Sequence, residues 1–191
     1  MTESTPGPLT RAEKGFLLDL AHRAVSAAAR GETAPDPVAL AAQAGLDLSR
    51  RLMAPCGAFV TLHKDGQLRG CIGYIAGIKP LCEAVRDNGA AAAVGDPRFP
   101  PVTPAELDQL DLEISALSPL NRVSGPLEID IGRHGILFAK SGRQSVFLPQ
   151  VAVEQGWDLD TTLTHLALKA GLAADAWRTG AEFQVFEADV F

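Results

Sequence analysis

The order of elements along the chain predicts an α+β fold on a largely antiparallel sheet. Helix, hairpin, helix and strand are followed by more strands with helices between them, which is not the strict alternation of a parallel sheet. Two segments carry the antiparallel reading. Phe59–Val60–Thr61–Leu62–His63, a tight Asp65–Gly66 turn and Leu68 onward have the pattern of a β-hairpin. Leu110 to Leu117 alternates as a strand, with Leu112, Ile114 and Ala116 on one side and Asp111, Glu113 and Ser115 on the other.

The elements follow in order. Met1 to Thr10 is polar and proline-bearing and is expected to be a flexible tail, with one domain over residues 11–191. From Thr10 to Arg30 apolar residues recur at helical spacing, and Thr10 with Glu13 has the form of a capping box. A second helix is predicted over Pro37 to Gln43, with Asp36 as its N-cap and Pro37 at its first position. Pro80 to Val94 reads as helix, and Asn88 falls on the same face as Leu81, Val85 and Ala92. Asp96–Pro97–Arg98–Phe99–Pro100–Pro101 is predicted to be a stiff, extended loop, because proline lacks the amide donor and restricts the residue before it. A short helix near Pro104 to Leu107 precedes the alternating strand. Later strands are predicted at Gly135–Ala139, Ser145–Leu148 and Phe183–Val190, and helices near Val151–Gln155 and Thr161–Ala170.

Bulk properties exclude several classes. The chain has 191 residues, 47% hydrophobic and 21% charged, long enough to bury a core without covalent staples. No apolar run approaches a membrane span, and nothing at the N-terminus has the pattern of a secretory signal. Cys56, Cys71 and Cys82 are an odd number and are expected to be free thiols in a reducing, cytoplasmic compartment. With a net charge of −6 and no Lys/Arg cluster, nucleic acid and anionic membranes are disfavoured as partners. No phosphate loop, dinucleotide fingerprint or nucleophile elbow occurs, so no cofactor is expected. Arg outnumbers Lys by 12 to 5 and alanine is abundant, a composition expected of a GC-rich bacterial source.

Leu68–Arg69–Gly70–Cys71–Ile72–Gly73 is the least ordinary stretch. Two glycines in a strand give up packing and mark close approach of a ligand or of another backbone, and here they flank a thiol. Strict alternation puts Arg69 on the face of Cys71, where a cation favours thiolate. The bland alternative is a buried strand cysteine beside a glycine bulge. His63 is a tempting base, but with a two-residue turn Cys71 is expected opposite Val60 and His63 on the other side. A three-residue turn would reverse that parity.

These residues also resemble a known family. Gly57–Ala58–Phe59–Val60–Thr61–Leu62, the Arg69–Gly70–Cys71–Ile72–Gly73 core, Pro80–Leu81, Asn88 and Asp96–Pro97–Arg98–Phe99–Pro100–Pro101 are similar to the AMMECR-one domain family. Leu112–Glu113–Ile114–Ser115, Leu148–Pro149–Gln150–Val151, Gly156–Trp157 and Lys169–Ala170–Gly171–Leu172 extend the likeness from about Arg11 to Phe191. The resemblance implies two pseudo-repeated lobes on one mainly antiparallel sheet of about eight strands. It further implies action with a Memo-like protein and a radical S-adenosylmethionine protein in the AmmeMemoRadiSam set, with no established activity. Relatives often carry a cysteine just before Lys-Ala-Gly-Leu, where this chain has Leu166, Ala167 and Leu168.

The candidate site is therefore Cys71 with Arg69 and Glu113 as catalytic groups, and Asn88, Arg98, Gly70, Gly73 and His134 as ligand-binding ones. Each has a plain structural alternative. Glu113 could simply be a solvated carboxylate, Asn88 a buried amide bonded to backbone and His134 a solvated turn residue. Arg98 could clamp a substrate anion, or tie its loop down through a carbonyl or Asp96. Cys56, His63, Cys71 and Cys82 lack paired-ligand spacing, so no sequence-local metal site is expected. Three functions are open: a thiol-dependent catalyst or carrier, a ligand-binding adaptor, or a motif that only folds the chain.

Overall fold

The computed structural model describes residues 8–191, so the expected tail lies outside the described residues as far as residue 7. Leu9 is buried and Thr10 already caps the first helix. The helices are α1 (Arg11–Arg30), α2 (Pro37–Gln43), α3 (Arg50–Met53), α4 (Leu81–Val94), α5 (Pro149–Gln155) and α6 (Leu159–Lys169). The strands are β1 (Ala58–Lys64), β2 (Gln67–Tyr74), β3 (Leu110–Leu117), β4 (Asn121–Val123), β5 (Gly135–Lys140), β6 (Arg143–Phe147), β7 (Glu182–Phe186) and β8 (Ala188–Val190).

Two compact units divide the chain. The first runs to Leu117 and takes back Asp189–Phe191; the second is Ser118–Ala188. Each has its own four-stranded sheet, ordered β2-β1-β3-β8 and β4-β7-β5-β6. This corrects the single eight-stranded sheet. The segment expected to be one strand over 183–190 breaks at Glu187, so β7 pairs within the second sheet while β8 joins the first. Both α3 and β4 are absent from the sequence reading. At four and three residues they are too short for either periodicity to register.

In the first unit the start of α1 is fixed by a reciprocal box. Glu13 N–H donates to the Thr10 hydroxyl at 3.2 Å, and Thr10 N–H donates to the Glu13 carboxylate at 2.7 Å. Phe16, Leu17, Leu20, Ala21 and Val25 then fall on one buried face and join Leu81, Val85 and Ala92 of α4 in a single core. Small residues let the two helices approach closely: a Cβ on Gly89 would meet the Ala21 carbonyl oxygen at 3.3 Å. Val60 and Leu62 of β1 and Ile114 of β3 complete that core from one face of the sheet. The second unit buries Ile136, Phe138, Phe183 and Val185 against Leu163, Leu166 and Ala167 of α6.

The hairpin of β1 and β2 departs from simple parity. Its turn is the expected two-residue one, with Asp65 and Gly66 both at positive φ (52° and 74°). Lys64 pairs with Gln67 and His63 with Leu68, but Leu62 pairs with Gly70, so Arg69 is the extra residue of a β-bulge. Beyond it Cys71 lies opposite Thr61 and not Val60. The expected pairing is thus corrected by one residue, and the face that Cys71 occupies reverses relative to β1. His63 shares that face with Thr61, two residues away on β1.

Candidate functional site

Strand β2 is an edge strand, and its polar backbone groups need partners that no further strand supplies. The proline-stiffened loop after α4 provides them at Cys71. Cys71 N–H donates to Asp96 Oδ2 at 2.9 Å, and Arg98 Nη2 donates to the Cys71 carbonyl at 3.4 Å. Asp96 itself is 5% exposed. It accepts from Arg98 Nε at 2.9 Å and Arg98 Nη2 at 2.7 Å, so one carboxylate fixes both the guanidinium and the cysteine backbone. Those bonds from Arg98, with the Cys71 and Arg98 amides, outweigh burial and hold the Asp96 carboxyl far below the usual carboxylate range. The same pair raises the Arg98 pKa, chiefly through the bond to Asp96. Both structural roles proposed for Arg98, the bond to Asp96 and the bond to a carbonyl, are present.

The sulfur projects from the sheet face opposite the α1/α4 core. Thr61 Oγ1 donates to Cys71 Sγ at 3.3 Å. Thr61 is in turn opposite Glu113 on β3, so Cys71, Thr61 and Glu113 form a row across three strands. With strands about 4.8 Å apart, Glu113 lies about 10 Å across the sheet from Cys71. The row is half-buried throughout. Cys71 alone among the three free cysteines is not buried. Cys56 Sγ donates to the Leu117 carbonyl at 3.0 Å, and burial pushes the Cys82 thiol up.

Arg69 is taken up by the loop after α4. Displaced into the bulge, its guanidinium bonds to Glu106 (Nε to Oε1, 3.1 Å) and to the carbonyls of Pro100 (2.9 Å) and Pro101 (3.3 Å). It anchors the stiff loop, and its bond to Glu106, with the Thr103 amide, pulls the Glu106 carboxyl well below its ordinary range. Arg69→Lys is expected to destabilise the fold by about 1–2 kcal/mol, since a lysine cannot satisfy a carboxylate and two carbonyls with one fork. Urea unfolding measures it, and a wild-type midpoint would remove the anchor role.

Gly70 and Gly73 are each met by protein atoms. A Cβ on Gly70 would lie 2.3 Å from the Ala92 carbonyl oxygen of α4, and one on Gly73 would lie 2.3 Å from the Phe59 ring. Close approach of another part of the chain, the second of the two sequence-level readings of these glycines, is present at both. Asn88 is fully buried on the helix side of the sheet, away from the face of Cys71. Its Nδ2 donates to the Ala58 carbonyl at 2.9 Å, and its Oδ1 has no protein partner among the described residues. His134 belongs to the second unit, where its Nδ1 accepts from Asp130 N–H at 3.0 Å. No group of three or more His, Cys, Asp or Glu side chains is placed to hold a metal among the described residues.

Thr61 and Asp96 were not among the sequence candidates. Thr61 carries no signal of its own, because its partnership depends on the bulge. Asp96 did have one: an acid two residues before Arg98, in a loop whose prolines remove backbone donors.

Geometry and fold together define a two-unit α+β protein with a half-exposed thiol latched onto the edge of its first sheet. The AMMECR1 family model matches residues 18–191, and the chain belongs to that family. It is 47% identical over 153 residues to a protein of Methanopyrus kandleri, covering 75% of this chain and 74% of that one. A Methanosarcina barkeri protein is 37% identical over 188 residues, covering 96% and 91%. Among solved structures, the uncharacterized protein PH0010 of Pyrococcus horikoshii superposes with a TM-score of 0.81 at 35% identity, covering 92% of this chain and 88% of that one. These three relatives are archaeal, so the bacterial source expected from composition has no support from them. No described helix is long and apolar enough to cross a membrane.

Proposed function

We propose that the protein is a thiol-dependent catalyst or covalent carrier working through Cys71, beside a Memo-like protein and a radical S-adenosylmethionine protein in the cytoplasm. The observation that carries this reading is the Thr61 hydroxyl donating to the sulfur of the one cysteine that is not buried. A hydroxyl donor stabilises thiolate relative to thiol. The thiolate bonds to an electrophilic carbon or sulfur of the substrate, the displaced group leaves with the bonding pair and takes a proton from water, and the Glu113 side chain orients the bound group. Arg98, not Arg69, supplies the neighbouring positive charge. Asn88, Gly70 and Gly73 serve the scaffold under this reading, and His134 has no part in the step.

Alkylation by iodoacetamide, mapped by mass spectrometry on the folded chain, tests it. Cys71 is expected to react well ahead of Cys56 and Cys82 and faster than a thiol in the urea-unfolded chain. Thr61→Val is expected to slow it about fivefold, the worth of one hydrogen bond. A Cys71 rate no faster than that of the unfolded chain sinks the proposal.

The adaptor reading is favoured by one observation, that both glycines of the motif are used up by protein contacts. Cys71→Ser separates the two. Loss of the system's activity with stability unchanged supports the catalyst, and full retention supports the adaptor.

A further inference from the structure

The bulge at Arg69 brings a histidine onto the face of the thiol. Bulges re-aim side chains and concentrate beside active sites. Strict pairing through the two-residue turn would leave His63 on the side opposite Cys71. With the extra residue in place, Cys71 lies opposite Thr61, and His63 is two positions along β1 on the same face. The bulge thus does what a three-residue turn would have done. Cys71 and His63 are diagonal neighbours on adjacent strands, about 7–8 Å apart and closer at Cβ, a span that an aromatic side chain covers.

On its other side His63 pairs directly with Asp111 of β3. Facing residues of an antiparallel pair hold their Cβ atoms about 4.5–5.5 Å apart, so carboxylate and imidazole are immediate neighbours. A second row, Leu68–His63–Asp111, therefore runs beside Cys71–Thr61–Glu113 across the same three strands. His63 is half-buried and Asp111 is exposed. Neither makes a side-chain hydrogen bond or ion pair among the described residues, whereas Thr61 and Lys64 beside them on β1 are committed to Cys71 and Glu106. Two other histidines are already in use: His134 accepts from Asp130 N–H, and the His165 ring stacks on Trp157 at 4.0 Å. One strand carries a nucleophile, the next a free imidazole and the third a free carboxylate. That is the order in which a thiol is activated by a base that a third group orients.

We infer that His63 is the base of the Cys71 thiol and that Asp111 positions its ring, an assignment that rests on the thiol reading of the site. The Cys71 S–H bond breaks and its proton passes to a ring nitrogen of His63, while the Thr61 hydroxyl keeps its bond to the sulfur. As the thiolate bonds to the substrate, the bond to the leaving group breaks with its electron pair, and the imidazolium returns the proton to that group in place of water. The proton is conserved over the step, so no oxidant or further reactant is needed. Asp111 accepts from the second ring nitrogen and so holds the tautomer that accepts from sulfur. The substrates served by this arrangement are those with a basic leaving group, which must be protonated as it departs.

The full chain is alkylated with iodoacetamide at neutral pH, and the rate at Cys71 is read by mass spectrometry. His63→Gln keeps a polar side chain of similar size but cannot take the proton. It is expected to slow Cys71 by at least about tenfold, short of the ~10²-fold of full acid–base catalysis because iodide leaves without a proton. Asp111→Asn is expected to slow it about threefold, the worth of one exposed charge pair. A second readout is independent of rate. In the ¹⁵N-labelled chain the ring nitrogens of His63 should shift on Cys71→Ser, while those of His22, His134 and His165 stay in place. The amide spectrum of each variant reports that the fold is kept. A Cys71 no faster than an unfolded thiol overturns the thiol reading and this assignment with it. A fast Cys71 whose rate is unchanged by His63→Gln, or a His63 ring that does not respond to Cys71→Ser, overturns the assignment alone.

Discussion

Gly70→Ala is expected to cost at least about 3 kcal/mol of folding stability, the upper end of what overpacking does, and to lower the melting temperature accordingly. The added methyl would sit 2.3 Å from the Ala92 carbonyl oxygen, a backbone atom on a helix that is itself packed against α1. No rotamer change relieves it, so either α4 lifts from the sheet or β2 leaves its ladder. Both routes expose core. Gly15→Ala is the control: that position is on the exposed side of α1 with no atom within 4 Å of a Cβ, so alanine there should stabilise by about 0.5–1 kcal/mol. Chemical denaturation of the three proteins decides the matter. A Gly70→Ala variant as stable as wild type would mean that α4 is not seated on β2 as described.

Asp96→Asn is expected to cost about 2 kcal/mol near neutral pH and to change how stability responds to acid. The carboxylate is nearly sealed, but its partner Arg98 has a side chain 55% exposed, which keeps the loss below that of a wholly buried pair. The direction with pH follows from linkage. The folded pKa of Asp96 is depressed, so the contribution is fully present above the unfolded carboxylate value of about 4 and fades as pH falls from there toward the folded value. The amide variant has no such group. The gap between wild type and variant should therefore be constant from about pH 7 to pH 5 and narrow below about pH 4. Unfolding free energies measured across that range give the test. A gap that widens in acid would contradict the assignment of Asp96 as an ionised latch.

Much of the fold was legible because it rests on local rules. The start of α1 at Thr10, the span of α2 behind Asp36, the limits of β3 and the Asp65–Gly66 turn all follow from capping, proline placement, alternation and turn chemistry. What was not legible depends on contacts far apart in sequence. The bulge at Arg69 arises because its guanidinium finds Glu106 and two loop carbonyls more than 30 positions away, and no local pattern records that. From that one displacement follows the exchange of Val60 for Thr61 opposite Cys71. The break at Glu187 was likewise hidden, since 183–190 keeps a strand-like composition through the point where it changes sheets.

The bulge also carries a safeguard against mispairing. Were Arg69 to enter the ladder, β2 would slip by one step: Arg69 would take the place of Gly70 opposite Leu62, where only a hydrogen atom fits beneath α4, and the thiol of Cys71 would turn to the core side opposite Val60. Such a competing hairpin could form early, while α4 was still undocked, yet it could never accept that helix afterwards. Docking therefore acts as a proofreading step: a chain that has placed its sulfur on the wrong side cannot finish folding, and every finished molecule presents the thiol outward.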